Sequence, residues 1–227
     1  PHRCVFCRQE TITGKKGRLP SPNQIHREVN RFLQYGKRRP STTQISFFGG
    51  NFLGLKRSSL LSLLETATTL VQTGTVDSIR FSTRPDTVSE SKLDFLAAFP
   101  VATVELGVQS MNDRVLHLAG RGHRAADTTA AARMLKNQGY QLGLQMMVGL
   151  PGDSEEGAMQ TARRMTALAP DFVRIYPTLV LEGSLLVTSG ATEQDDLPLA
   201  RVRPGEVVGQ MGLLDDAPRS ATVRCEK

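Results

Sequence analysis

The sequence predicts an α/β fold built from parallel β/α units. Two observations carry this: stretches with strand character alternate with stretches of helical periodicity along most of the chain, and each pair is joined by a short turn. A third observation limits it, because the alternation stops near residue 182.

The elements follow in order. Ser21 reads as an N-cap and Pro22 as the first helical residue, opening a helix over 23–35 that Gly36 ends. Its apolar stripe is Ile25, Val29, Phe32 and Leu33. A strand over 44–48 runs into Gly49-Gly50. Helix 56–71 and strand 76–82 come next, then helix 89–99 and strand 103–108. Helix 125–137 is closed by Gly139 and followed by strand 140–148. Helix 154–168 stops near Pro170 and strand 172–176 ends the series. From 183 the pattern becomes short strands at 183–187, 199–202 and 221–225 between Gly, Asp and Pro turns. The expected organisation is one unit over 1–182 and a β-rich segment over 183–227, with the break near 182–195.

Composition restricts the function. A chain of 227 residues with 39% hydrophobic content supports one α/β barrel or two smaller domains. No run approaches the roughly 18 apolar residues of a membrane span, and no signal peptide is visible. Three cysteines, an odd number, argue against a disulfide framework and fit a reducing cytoplasm. Charge is uneven: residues 1–40 hold ten Lys and Arg against two acidic residues, and the rest of the chain 18 against 20. The basic segment is either a face for phosphates, of RNA or of a nucleotide, or a solvated helix without a partner. The chain has no Trp, and this region shows no aromatic ladder for stacking bases.

Chemistry gathers at the ends of the predicted strands, where β/α barrels carry their sites. Cys4 and Cys7 form a Cys-x-x-Cys pair able to close on a metal or a cluster edge; a redox pair and two core cysteines are the alternatives. Gly49 and Gly50 let backbone approach a ligand, or only form a tight strand-to-helix turn. Glu105 is either a ligand-binding group or an interior carboxylate paired with Arg121 or Arg84. His123 could be a helix cap, Met146-Met147 core filler, and Tyr176 a packed, half-buried ring.

Taken together, the segments Pro1-His2-Arg3-Cys4-Val5-Phe6-Cys7, Phe47-Phe48-Gly49-Gly50-Asn51-Phe52, Ser82-Thr83-Arg84-Pro85-Asp86, Val104-Glu105-Leu106-Gly107-Val108-Gln109-Ser110, Arg121-Gly122-His123 and Tyr176-Pro177-Thr178-Leu179-Val180 resemble the radical SAM enzymes, in particular the radical SAM domain of the Elongator catalytic subunit and its bacterial relatives. The resemblance covers residues 1–185. It implies a partial (β/α) barrel of the radical SAM type, here lacking its first strand, and a [4Fe-4S] cluster beside S-adenosylmethionine (SAM). In the family one electron from the cluster cleaves SAM to a 5′-deoxyadenosyl radical that abstracts hydrogen from substrate. Cys4 and Cys7 match two of the three cluster ligands; the first cysteine of the signature would sit one residue before Pro1 and is absent from this sequence, which reads as cut from a longer chain.

The resemblance gives further residues roles. Phe6 matches the aromatic position near adenine, and Gly49, Gly50 and Asn51 the loop for the methionine amino group of SAM. Ser82, Arg84, Glu105 and Gln109 line the SAM pocket, Arg84 toward the carboxylate. Met147 lies in the segment against adenine, and Tyr176 stands at the barrel mouth. It also implies tRNA as substrate of the full-length protein, an electron donor such as a flavodoxin or ferredoxin, and no membrane. No acetyltransferase domain is visible. Residues 203–223 resemble the phosphate-binding cassette of cyclic-nucleotide-binding domains, with Arg219 matching the arginine that grips the cyclic phosphate and Gln210 standing where that family has glutamate. The rival readings are therefore a cyclic-nucleotide-responsive regulatory protein and an inactive fusion of two gene fragments.

Overall fold

The computed structural model describes residues 4–6, 19–34 and 42–178. Within them five strands form one sheet in sequence order, every neighbouring pair parallel. They are β1 (Gln44–Phe47), β2 (Ser78–Thr83), β3 (Val101–Gln109), β4 (Gln141–Val148) and β5 (Phe172–Pro177). The helices are α1 (Pro22–Leu33), α2 (Arg57–Gln72), α3 (Glu90–Leu96), α4 (Asp113–Leu118), α5 (Ala125–Asn137) and α6 (Glu155–Thr166). The predicted C-terminal strands, and with them Cys225, Gln210 and Arg219, lie outside the described residues, as does Cys7.

Local chemistry explains the helix starts. Ser21 accepts from the Gln24 backbone N–H at 3.4 Å, and the Gln24 side chain accepts from the Ser21 N–H at 2.8 Å, a reciprocal cap ahead of Pro22. Helix α2 buries Leu60, Leu63, Leu64, Ala67 and Leu70, the spacing of one helical face. Only part of the α1 stripe behaves as expected: Ile25 is buried and Val29 packs on the core, but Phe32 remains 65% exposed.

The sheet has two unlike faces because side chains alternate along each strand. Ile45, Ile79, Phe81, Val104, Leu106, Val108, Leu142, Leu144 and Met146 face the helices and form the core. The opposite face is polar. At its base Gln44 Nε2 donates to Ser78 Oγ and Thr103 Oγ1, both at 3.0 Å, and Thr103 Oγ1 donates to Gln141 Oε1 at 2.9 Å. That belt links four strands. The sheet curls around this face: the Arg174 guanidinium of β5 lies 5.4 Å from the ring of Phe48, which follows β1. The first and last described strands thus meet across a lumen, giving a curled half-barrel. No described helix is long and apolar enough to cross a membrane.

Candidate cofactor site at the barrel mouth

The strand C-termini deliver the predicted site residues to one end of the half-barrel. The cysteine loop is tied there: Val5 N–H donates to the Ala119 carbonyl at 3.2 Å. Phe6 and Met147 both pack on the small apolar cluster of Val115, Ala119 and Leu150. Helix α4, absent from the elements expected from sequence, supplies Val115 of that cluster, and Ala119 is its C-cap. Its signal was Asn112, whose side chain caps it by accepting from Arg114 N–H at 3.0 Å. The methionine pair splits, as adjacent strand positions must. Met146 enters the core and Met147 turns to the mouth.

Cys4 is buried, and its sulfur accepts from Arg121 Nη1 at 3.1 Å. Arg121 Nη2 donates to the Gly107 carbonyl at 2.6 Å. A Cβ at position 107 would stand 3.2 Å from that same Nη2, so the glycine leaves the guanidinium its place. The alternative that pairs Glu105 with Arg121 is not what the structure shows, because Arg121 is aimed at the cysteine loop instead.

Glu105 is fully buried and belongs to the interior. Arg80 holds its Oε1, with Nε at 2.5 Å and Nη2 alongside; Arg174 Nε lies 3.2 Å from Oε2, and Gln145 Nε2 donates to that oxygen at 2.9 Å. Neither Arg121 nor Arg84 is its partner. Arg84 instead forks onto Asp86 through Nε at 2.9 Å and Nη2 at 2.8 Å. Burial works to raise the Asp86 carboxyl, but the Arg84 guanidinium outweighs it and holds the group below its ordinary value.

The loop after β1 has Gly49 at φ 100°, a conformation that favours glycine, and Gly50 exposed. Asn51 is spent inside the protein. Its Oδ1 accepts from Thr83 Oγ1 at 2.7 Å, Arg84 N–H at 3.1 Å and Thr87 Oγ1 at 2.8 Å. It therefore ties the glycine loop to the turn after β2. Ser82 is buried at the end of β2, in register with Glu105. Tyr176, in register with Met147, accepts from Arg174 Nη1 at 3.3 Å.

Three buried polar atoms near the end of β3 lack a hydrogen-bond partner among the described residues: Gln109 Oε1, Arg121 Nε and His123 Nδ1. An unpaired buried polar atom costs about 1–3 kcal/mol. Gln109 also holds φ 68°, strained for a residue with a Cβ. His123 is not a helix cap, since Arg124 takes that position. Its Nε2 lies 3.2 Å from the Val108 carbonyl. Burial, and next the Arg121 charge, push its imidazole down to about 4, so it is neutral at pH 7 and Nδ1 is an acceptor. Two acceptors and one donor left bare beside a buried thiol suit a ligand carrying both amino or hydroxyl and carboxylate groups. SAM fits that description, and Cys4 suits a thiolate-bound cluster. Among the described residues no three His, Cys, Asp or Glu side chains converge on a metal.

A parallel half-barrel with a cysteine loop docked at its C-terminal mouth defines a class of cofactor-dependent barrels. The sequence profile of the Radical SAM superfamily matches residues 1–165, and the chain belongs to that superfamily. It is 38% identical over 107 residues to a tRNA uridine(34) acetyltransferase of Methanocaldococcus infernus, covering 46% of this chain and 20% of that protein. It is 27% identical over 198 residues to an uncharacterised protein of Methanocaldococcus jannaschii, covering 82% of this chain and 60% of that one. The chain thus spans between a fifth and three fifths of these relatives. The solved structure of the archaeal Methanocaldococcus infernus Elp3 superposes with a TM-score of 0.62 at 28% identity, over 74% of this chain and 44% of that one.

Proposed function

We propose that this chain is the cofactor-binding core of a radical SAM enzyme that modifies tRNA. The observation that carries the reading is the buried pairing of Arg121 with Cys4 beside three unpartnered polar atoms at the mouth of a lumen. Cys4 and Cys7 would ligate a [4Fe-4S] cluster, and the residues around Gln109 would hold SAM. When bound, these groups supply a one-electron reductive cleavage of a carbon–sulfur bond.

The chain's own residues do the rest. Phe6 and Met147 shield the site from water. Arg121 fixes the Cys4 sulfur, neutral His123 braces the Val108 carbonyl, and Asn51 holds the glycine loop against β2. The tRNA substrate is supported by the relatives' names and by the basic segment over 1–40. The same reading places the protein in the cytoplasm with a flavodoxin or ferredoxin as electron donor. Anaerobic reconstitution tests it. A chain extended by cysteine before Pro1 is expected to hold about four irons and Cys4→Ala to lose most of them. Equal iron in both would overturn the reading.

A further inference from the structure

Below the mouth, the lumen offers more donors than its own acceptors can satisfy. Two guanidiniums, Arg80 and Arg174, share the single carboxylate of Glu105, so one positive charge at this level has no counter-charge among the described residues. Arg80 turns both Nε and Nη2 onto Glu105 Oε1, and its guanidinium carbon sits 4.7 Å from the Phe172 ring and 5.6 Å from the Phe48 ring. Arg174 is the more open of the two. Its side chain is 27% exposed, against 18% for Arg80, and no acceptor among the described residues reaches its Nη2. Its Nη1 donates to Tyr176 Oη. That hydroxyl oxygen is an acceptor here, so its hydrogen is left to donate elsewhere. Arginine has no acceptor atom at all. The pair therefore presents a positive charge with two free donors, Arg174 Nη2 and the Tyr176 hydroxyl.

We propose that Arg174 and Tyr176 form an anion-binding subsite in the lumen, which takes a carboxylate or phosphate group of the substrate. The proposal deepens the radical SAM reading by naming the chemical class of the substrate's inner end, and it rests on SAM occupying the mouth above. A neutral group there would leave the guanidinium charge unmatched.

The test titrates the chain extended by cysteine before Pro1 and reconstituted with its cluster, calorimetrically, with inorganic phosphate and, separately, with SAM. Arg174→Gln keeps a donor for Glu105 and removes the charge. It is expected to weaken phosphate by about tenfold or more while SAM affinity stays within about twofold of wild type. Arg174→Lys, which keeps the charge without the fork, is expected to fall between and serves if the glutamine variant melts early. Phosphate binding equal in wild type and Arg174→Gln would place the anion on the basic N-terminal segment and overturn the proposal. SAM weakened as much as phosphate would overturn it too, since the anion would be the cofactor's own carboxylate. If the wild-type chain bound phosphate through Arg174 but not SAM, the function reading would fail and the anion subsite would stand.

Discussion

His123 couples the site to pH. Its imidazole titrates near 4 in the folded chain against an ordinary 6.5, because protonation would put a cation in a buried place beside Arg121. A histidine with a depressed folded pKa stabilises the fold above the unfolded value, and that contribution is lost as pH falls from 6.5 to 4. The loss is on the order of 2–3 kcal/mol. His123→Gln retains a donor for Val108 and cannot titrate. Its urea midpoint is expected to fall less between pH 7 and 4 than that of wild type, and parallel curves would refute the assignment. At this scale the sequence exposed the motif residues and hid their partners. Cys4, Gly49 and Gln109 stand in recognisable runs. The bond from Arg121 to Cys4 spans 117 positions, and no local pattern encodes it. Glu105 shows the same limit: a buried carboxylate needs a cation, but which arginine reaches it depends on the register between strands.

Elements were legible where a single period dominated. Helix α2 and strand β4 repeat at 3.6 and 2 residues and begin and end near their expected places. Helix α4 has six residues, too few to show a period. The polar lumen face was readable in principle. Buried parallel strands are ordinarily apolar throughout, so polar residues at every second position, as in Thr103, Glu105 and Gln109, mark a strand facing a lumen. Strand β4 carries the sharpest steric demand of this kind. A Cβ at Gly143 would lie 2.3 Å from Phe172 Cζ and 2.8 Å from Glu105 Cγ. Gly143→Ala therefore forces the Phe172 ring away from Arg80 and crowds the buried carboxylate. The expected cost is about 1–3 kcal/mol in urea unfolding. Unchanged stability would mean that the Phe172 ring has free room to swing aside.

The molecule as a whole depends on how the sheet closes. Backbone hydrogen bonds join only neighbouring strands, and nothing in a parallel ladder brings β1 to β5. Cross-lumen contacts must do so, and Phe48 makes one of them, to Arg174. Its ring lies 5.6 Å from the Arg80 guanidinium and 5.4 Å from that of Arg174, so one aromatic ring links strands at opposite edges of the described sheet. Cation–π contacts are worth about 0.5–2 kcal/mol, more when shielded from water. Removing the ring by Phe48→Ala is expected to destabilise the chain by about 1–2 kcal/mol. The loss should be coupled to Arg174. A double-mutant cycle of Phe48→Ala with Arg174→Gln, read by urea unfolding, is expected to return about 0.5–1 kcal/mol of interaction. The pair Arg31 and Phe32, with the guanidinium 5.5 Å from a ring that is 65% exposed against 48% for Phe48, is the comparison, because water weakens the contact more there. Coupling at Phe48–Arg174 no greater than at Arg31–Phe32 would mean that this ring does not draw the two strands together.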